Sequence, residues 1–151
     1  MLPLDLRTRP PRGPRETLDG LMMLPRTIDK ARATLPGGNL GPYHIAPGMS
    51  GIMLSTIGVS VEDFTQAVAQ AERDQDVADW LRAHADTSQY DRANTIMSGM
   101  RGVDIPPDHR ARFESLYSER LRQAYPVNFD LIEADDRELY PSARESEAAP
   151  C

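Results

Sequence analysis

Cysteine is almost missing from this chain: Cys151 is the sole one in 151 residues, which excludes a disulfide within the chain and a cysteine metal cluster, and makes a cysteine nucleophile unexpected. Histidine is sparse too, with three residues. His84 and His109 each lack a second histidine or a carboxylate at metal-ligand spacing, so they are expected at the surface, and neither a metal nor a cofactor is implied. Long apolar runs are absent too: none approaches the roughly 18 residues of a membrane-spanning helix. The opening MLPLDLRTRP has no hydrophobic stretch of the signal-peptide kind, so a cytoplasmic location is expected. Excess positive charge is lacking as well. A net charge of −6 argues against general binding to nucleic acid or to an anionic membrane.

The most informative scarcity is of lysine. Lys and Arg together number 17, yet Lys30 is the only lysine. Arginine does not give up its proton, whereas a lysine that is desolvated or placed beside another cation can act as a base or form a Schiff base. Lys30 lies in LPRTIDKARATL, which reads as a helix with Pro25 at its first position and Gly37-Gly38 stopping it after Leu35 and Pro36. At about 100° per residue, Leu24, Ile28, Ala31 and Leu35 form an apolar stripe opposite Arg26, Asp29, Lys30 and Ala33. The helix is therefore expected to have a buried side and a charged side. Arg26, four residues before Lys30, would push the amine's pKa down, and Asp29 faces Arg26 and Arg32. The competing reading is a solvated face with ordinary ion pairs.

What is present is otherwise globular: 40 % hydrophobic and 26 % charged residues, enough for one domain with a real core. Residues 1–16 alternate Pro3, Pro10, Pro11 and Pro14 with Arg7, Arg9, Arg12 and Arg15, and so favour an extended arm, pinned by Leu2, Leu4 and Leu6. Without interleaved aromatics the arm is not read as a nucleic-acid grip. Thr17 caps an expected short helix through Leu18, Leu21 and Met22. Residues 37–51, GGNLGPYHIAPGMSG, form a loop whose glycines match neither GxGxxG nor GxxxxGK[ST], and whose Tyr43 and His44 offer a phenol and an imidazole. The competing reading there is a packed aromatic with a hydrogen-bonded neighbour.

Residues 52–57, IMLSTI, read as a short strand or buried extended chain. Ser60 with Asp63 marks a capping box before a helix carrying Val61, Phe64, Ala67, Val68 and Ala71. A further helix carries Val77, Trp80, Leu81 and Ala85, with Asp74, Asp76, Asp79 and Arg82 facing water. Another, capped by Ser88, carries Tyr90, Ala93, Met97 and Met100. The longest amphipathic segment runs from Asp108 to Ala124 on Phe113, Leu116, Tyr117 and Leu121. After Phe129, Leu131 and Ile132, Asp135 or Glu138 is expected to cap a final short helix, and residues 142–151 read as a disordered tail. The expected fold is mainly α: one helical domain over 1–141 with an extended arm, a long Gly/Pro loop and a minor strand at most.

The segments DLRTRPPRGPRETLDG, LPRTIDKARATL and GPYH resemble a family of small bacterial cytosolic proteins known as domain of unknown function 5069, with GVSVEDF, ADWL and FDLIEADD following in the family's order. The positions matching its motifs are Arg26, Asp29, Lys30, Arg32, Tyr43 and His44. Where members continue YHY with a Cys-Pro-Leu-Asp stretch, this chain has Ile45, Ala46, Pro47, Gly48 and Met49, and an aromatic common before LPR is replaced by Leu21, Met22 and Met23. These differences imply a divergent member with a larger, less polar pocket and a changed ligand. The resemblance brings no activity with it.

Two functional expectations follow. The first is a small metal-independent enzyme acting on an anionic or carbonyl-bearing metabolite, with Lys30 as amine or base, Tyr43 or His44 as proton partner, and Arg26, Asp29 and Arg32 binding substrate. Lyase, isomerase, cyclase and hydrolase all fit. The second is a non-catalytic binding or assembly module that uses the same cluster as a buried ion-pair network. A homo-oligomer is compatible with either.

Overall fold

A computed structural model describes residues 1–141, and the expected tail over 142–151 lies outside them. Eight α-helices, one two-stranded hairpin and two short 3-10 turns make up the described residues, so the chain is mainly α. No described helix is long and apolar enough to cross a membrane. The chain groups into two compact units, one over Met1–Thr95 and one from Ile96 onward, with the boundary inside the fifth helix.

In the first unit the arm is extended and ordered. Leu4 and Leu6 are buried against Ala33, Leu40 and Tyr43, whereas Leu2 is exposed. Backbone hydrogen bonds from Leu6 N to Asn39 O (2.8 Å) and from Asn39 N to Leu4 O (2.9 Å) tie the arm to the loop after the first helix. The arm is thus held along the structure by backbone hydrogen bonds at Leu4 and Leu6.

The helix expected from Thr17 is instead a hairpin, β1 (Thr17–Leu18) paired antiparallel with β2 (Leu21–Met22). Asp19 (φ 54°) and Gly20 (φ 78°) supply the two consecutive left-handed residues of a tight hairpin turn, and this local chemistry overrides the helical spacing of the leucines. Arg82 fixes the turn from a distant helix, with Nε 2.8 Å from Asp19 Oδ2 and Nη2 2.6 Å from Oδ1. The hydrogen bond from Arg82 lowers the pKa of Asp19 below 3.8. A carboxylate with a depressed folded pKa stabilises above its unfolded pKa and ceases to do so as pH falls through the folded one. Melting temperature is therefore expected to fall below about pH 4. Asp19→Asn should be less stable than the parent at neutral pH and show a shallower acid loss.

α1 (Leu24–Ala33) ends two residues earlier than expected, at a C-cap on Thr34. It packs on α2 (Met49–Ile57) and α3 (Val61–Gln70), and α3 packs in turn on α4 (Asp74–His84). Leu24, Ile28, Met53, Leu54, Ile57, Phe64, Val68, Val77 and Leu81 fill this core with almost no exposure. α2 corrects the reading of IMLSTI as a strand. Once Met49 and Ser50 are included, the buried positions Met49, Ser50, Met53, Leu54 and Ile57 follow a helical period that a six-residue window is too short to reveal. The Ser60 cap is present, its Oγ accepting from Asp63 N at 3.0 Å. Ser60→Ala is expected to cost about 1 kcal/mol in urea denaturation, the usual worth of a hydroxyl cap.

α5 (Tyr90–Gly99) follows a 3-10 turn whose cap is Asp86, not Ser88. In the second unit the long amphipathic segment is two helices, α6 (Pro107–Leu116) and α7 (Glu119–Ala124). Ser118 breaks it, because its hydroxyl accepts from Leu121 N (3.3 Å) and starts a new helix. α8 (Asn128–Leu139) is a full twelve-residue helix that begins before Phe129 and not at an Asp135 cap, since Phe129, Leu131, Ile132 and Ala134 are all buried along it. Leu121, Leu131 and Ala134 form the small core of this unit with Phe113, Tyr117 and Tyr125.

Candidate functional site

α1 does not have one buried and one charged side. Nine of its ten residues are buried, and Arg26, Asp29 and Lys30 are only 3 %, 5 % and 7 % exposed. Charges withdrawn from water need partners, because unpaired burial would cost several kcal/mol each, on the order given by desolvation. The arm, the loop and α2 each supply partners for this face.

From the arm, Arg12 clasps Asp29. Its backbone N donates to Oδ2 at 2.8 Å, its Nη2 to Oδ1 at 2.9 Å, and its Nε to both oxygens at 3.1 and 3.2 Å. The other edge of the same guanidinium reaches Asp74 at the start of α4, at 2.5 and 3.2 Å. Asp74, expected in water, is thus a partner of the arm. Burial works against the Arg12 charge, but the hydrogen bonds to Asp74 and Asp29 outweigh it and raise its pKa. Arg26 closes the loop by donating Nη1 to the Arg12 carbonyl at 3.1 Å. Arg32, less buried, gives Nε to the Leu2 carbonyl (2.8 Å) and lies 3.9 Å from Asp29.

From α2, Ser50 meets Lys30. The Lys30 amine is 3.3 Å from Ser50 Oγ, which is 2.9 Å from Thr27 Oγ1, itself 2.8 Å from the Met23 carbonyl. Ser50 and Thr27 have no exposed surface. A hydroxyl carries one proton, so the chain has two directions. When Thr27 donates to Met23, Ser50 donates to Thr27 and accepts from the Lys30 ammonium. When Thr27 donates to Ser50, the Ser50 proton can be offered to a neutral Lys30. Neither hydroxyl stood out in the sequence, where Ser50 sits in a Gly-rich stretch and Thr27 looks like one polar helix residue among several. The only signal was Ser50 between Gly48 and Gly51.

From the loop, half-buried Tyr43 lies under Arg26, with the guanidinium carbon 5.3 Å from the ring centroid, and also joins the Leu4–Leu6 cluster. The loop comes this close because Gly41 (φ 56°) permits it: a Cβ there would sit 2.7 Å from the Leu6 carbonyl oxygen. His44 is half-buried with Nε2 against Gly48, the residue preceding α2 and two before Ser50. The structure therefore brings Lys30 to Ser50 and Thr27, Arg26 to Tyr43 and Arg12, and His44 to the start of α2.

The profile of a family described as Domain of unknown function (DUF5069) matches residues 8–138. The chain belongs to this family. The DUF5069 match runs from Thr8 in the arm to Glu138 in α8, so Arg12, the charged residues of α1, the Tyr43-His44 loop and Ser50 all fall inside it. No curated protein matches the chain.

Proposed function

We propose that this DUF5069 chain is a small cytoplasmic enzyme that uses the Lys30 amine, as base or as Schiff-base nucleophile, on a small anionic or carbonyl-bearing metabolite. The observation that carries this reading is the placement of the only lysine: 7 % exposed, on a helix face with two other buried charges, 3.3 Å from a fully buried hydroxyl. An amine that merely solvates a helix has no need of such a setting, and perturbed, desolvated ionisable groups are concentrated at functional sites. The Ser50–Thr27 pair can reorient its hydroxyls to hydrogen-bond that amine in either protonation state. His44, beside the start of α2, and Tyr43, beneath Arg26, are the proton partners, and Arg26, over the Tyr43 ring, is the cation for holding an anion.

In the Schiff-base version the Lys30 nitrogen adds to a carbonyl carbon and water leaves. Borohydride reduction in the presence of small aldehydes, ketones and 2-oxo acids should then leave a stable adduct on the intact protein. The adduct should map to Lys30 and be absent from Lys30→Met. If wild type turns over a metabolite without forming an adduct, Lys30 acts as base. An adduct on the N-terminal amine alone would count against the amine reading.

A non-catalytic binding or assembly module is the second reading, and the Arg12 clasp favours it, since the arm already occupies Asp29 and Arg26. Under that reading Lys30→Met alters stability or association while no small molecule is consumed.

A further inference from the structure

The second unit contains a hollow of about 200 Å³ that the amine chemistry does not use. Val103, Phe113 and Pro126 give it apolar walls, Gly102 its floor, and Arg110 and Arg122 its charge. Nearby Arg120 pairs with Glu138. Arg110, by contrast, gives one N–H to the Ile105 carbonyl at 3.3 Å and forms no ion pair among the described residues. Arg122 is anchored through Nε to the Tyr117 carbonyl at 3.0 Å, with Nη1 4.0 Å from the half-exposed Glu114, too long for a hydrogen bond. Both guanidinium groups are thus held by backbone carbonyls, Arg110 without a carboxylate partner among the described residues and Arg122 with only a loose one.

We propose that this hollow is a binding site for a small amphipathic anion, a carboxylate or phosphate carried on an aromatic or short aliphatic body. A guanidinium presents a fork of donors matched to either head group. The apolar walls would take the body, and Gly102 leaves room beside Phe113, whose ring would stand 3.4 Å from a Cβ placed there. The volume is below the roughly 300 Å³ at which drug-sized ligand pockets begin, which limits the ligand to about one ring with its acid group. This site is independent of Lys30.

Titration of the full chain with phenyl phosphate, benzoate, inorganic phosphate and benzyl alcohol, followed by amide NMR shifts, tests it. Phenyl phosphate or benzoate should saturate and shift residues around Gly102 and Phe113, with both inorganic phosphate and benzyl alcohol at least about tenfold weaker. Arg110→Gln and Arg122→Gln should each weaken the aryl anion by about tenfold or more, while Arg120→Gln, outside the hollow, should not. Circular dichroism identifies any variant that has lost its helix, and the other arginine variant then decides. Inorganic phosphate binding as tightly as phenyl phosphate, shifts located elsewhere, no saturable shift, or unchanged affinity in the folded variants would each overturn the proposal.

Discussion

Lys30→Met is expected to reduce turnover by about two to four orders of magnitude, the usual contribution of a positioned acid–base group. It should leave the fold standing. Methionine matches the length of the lysine stem, keeps a high helix propensity and introduces no charge into a site that is 7 % exposed. Ser50 keeps a hydroxyl neighbour in Thr27 at 2.9 Å, so the loss of the amine does not strand it. The stability change should therefore stay within about 1.5 kcal/mol, as for other volume-conserving replacements. Lys30→Arg is the harsher variant. On a solvated face arginine would be accepted within about half a kcal/mol, but in this buried setting the larger guanidinium should cost about 1 to 3 kcal/mol through overpacking. Turnover of the metabolite found in the trapping experiment, measured beside urea denaturation, separates the two effects. Wild-type turnover in Lys30→Met would end the catalytic reading.

Asp29→Ala is expected to destabilise the protein by about 2 to 3 kcal/mol, the largest single loss among the charged residues of α1. Removing one partner of a buried ion pair costs about 3 to 5 kcal/mol because the other charge is left uncompensated. Here the Arg12 side chain is 33 % exposed and retains Asp74, which reduces the penalty. Asp74→Ala, at the more exposed edge of the same guanidinium, should cost about 1 kcal/mol or less. Hydrogen exchange offers a second readout. With Asp29 gone, the Arg12 anchor of the arm is weakened while the Leu6–Asn39 backbone bonds remain, so protection should fall around residues 10–14 before it falls at Leu6. A double-mutant cycle with Arg12→Met isolates the pair. Equal costs for Asp29→Ala and Asp74→Ala would show that the clasp does not anchor the arm.

The sequence by itself determined the elements whose signals are local. Pro25 at the head of α1, the Ser60 hydroxyl before α3 and the helical spacing of Phe64, Val68, Val77 and Leu81 each act within a turn or two of chain, so the helices were legible there. The hairpin turn is encoded locally as well, in Asp19-Gly20, but the leucine spacing around it also fits a helix, so two local signals compete there. α2, the break at Ser118 and the full length of α8 depend on cues spread over more chain than any one apolar run. The charged residues of α1 were also visible, and so was the oddity of Lys30. Their burial was not, because amphipathic spacing states only which residues share a face. Whether water or protein covers that face is decided by segments distant in sequence. Arg12 reaches Asp29 across seventeen residues, and Ser50 reaches Lys30 across twenty. Only the tertiary structure turns a solvated charged stripe into a buried set of ion pairs and hydrogen-bonded hydroxyls, because desolvation and pairing arise when those segments close over the helix.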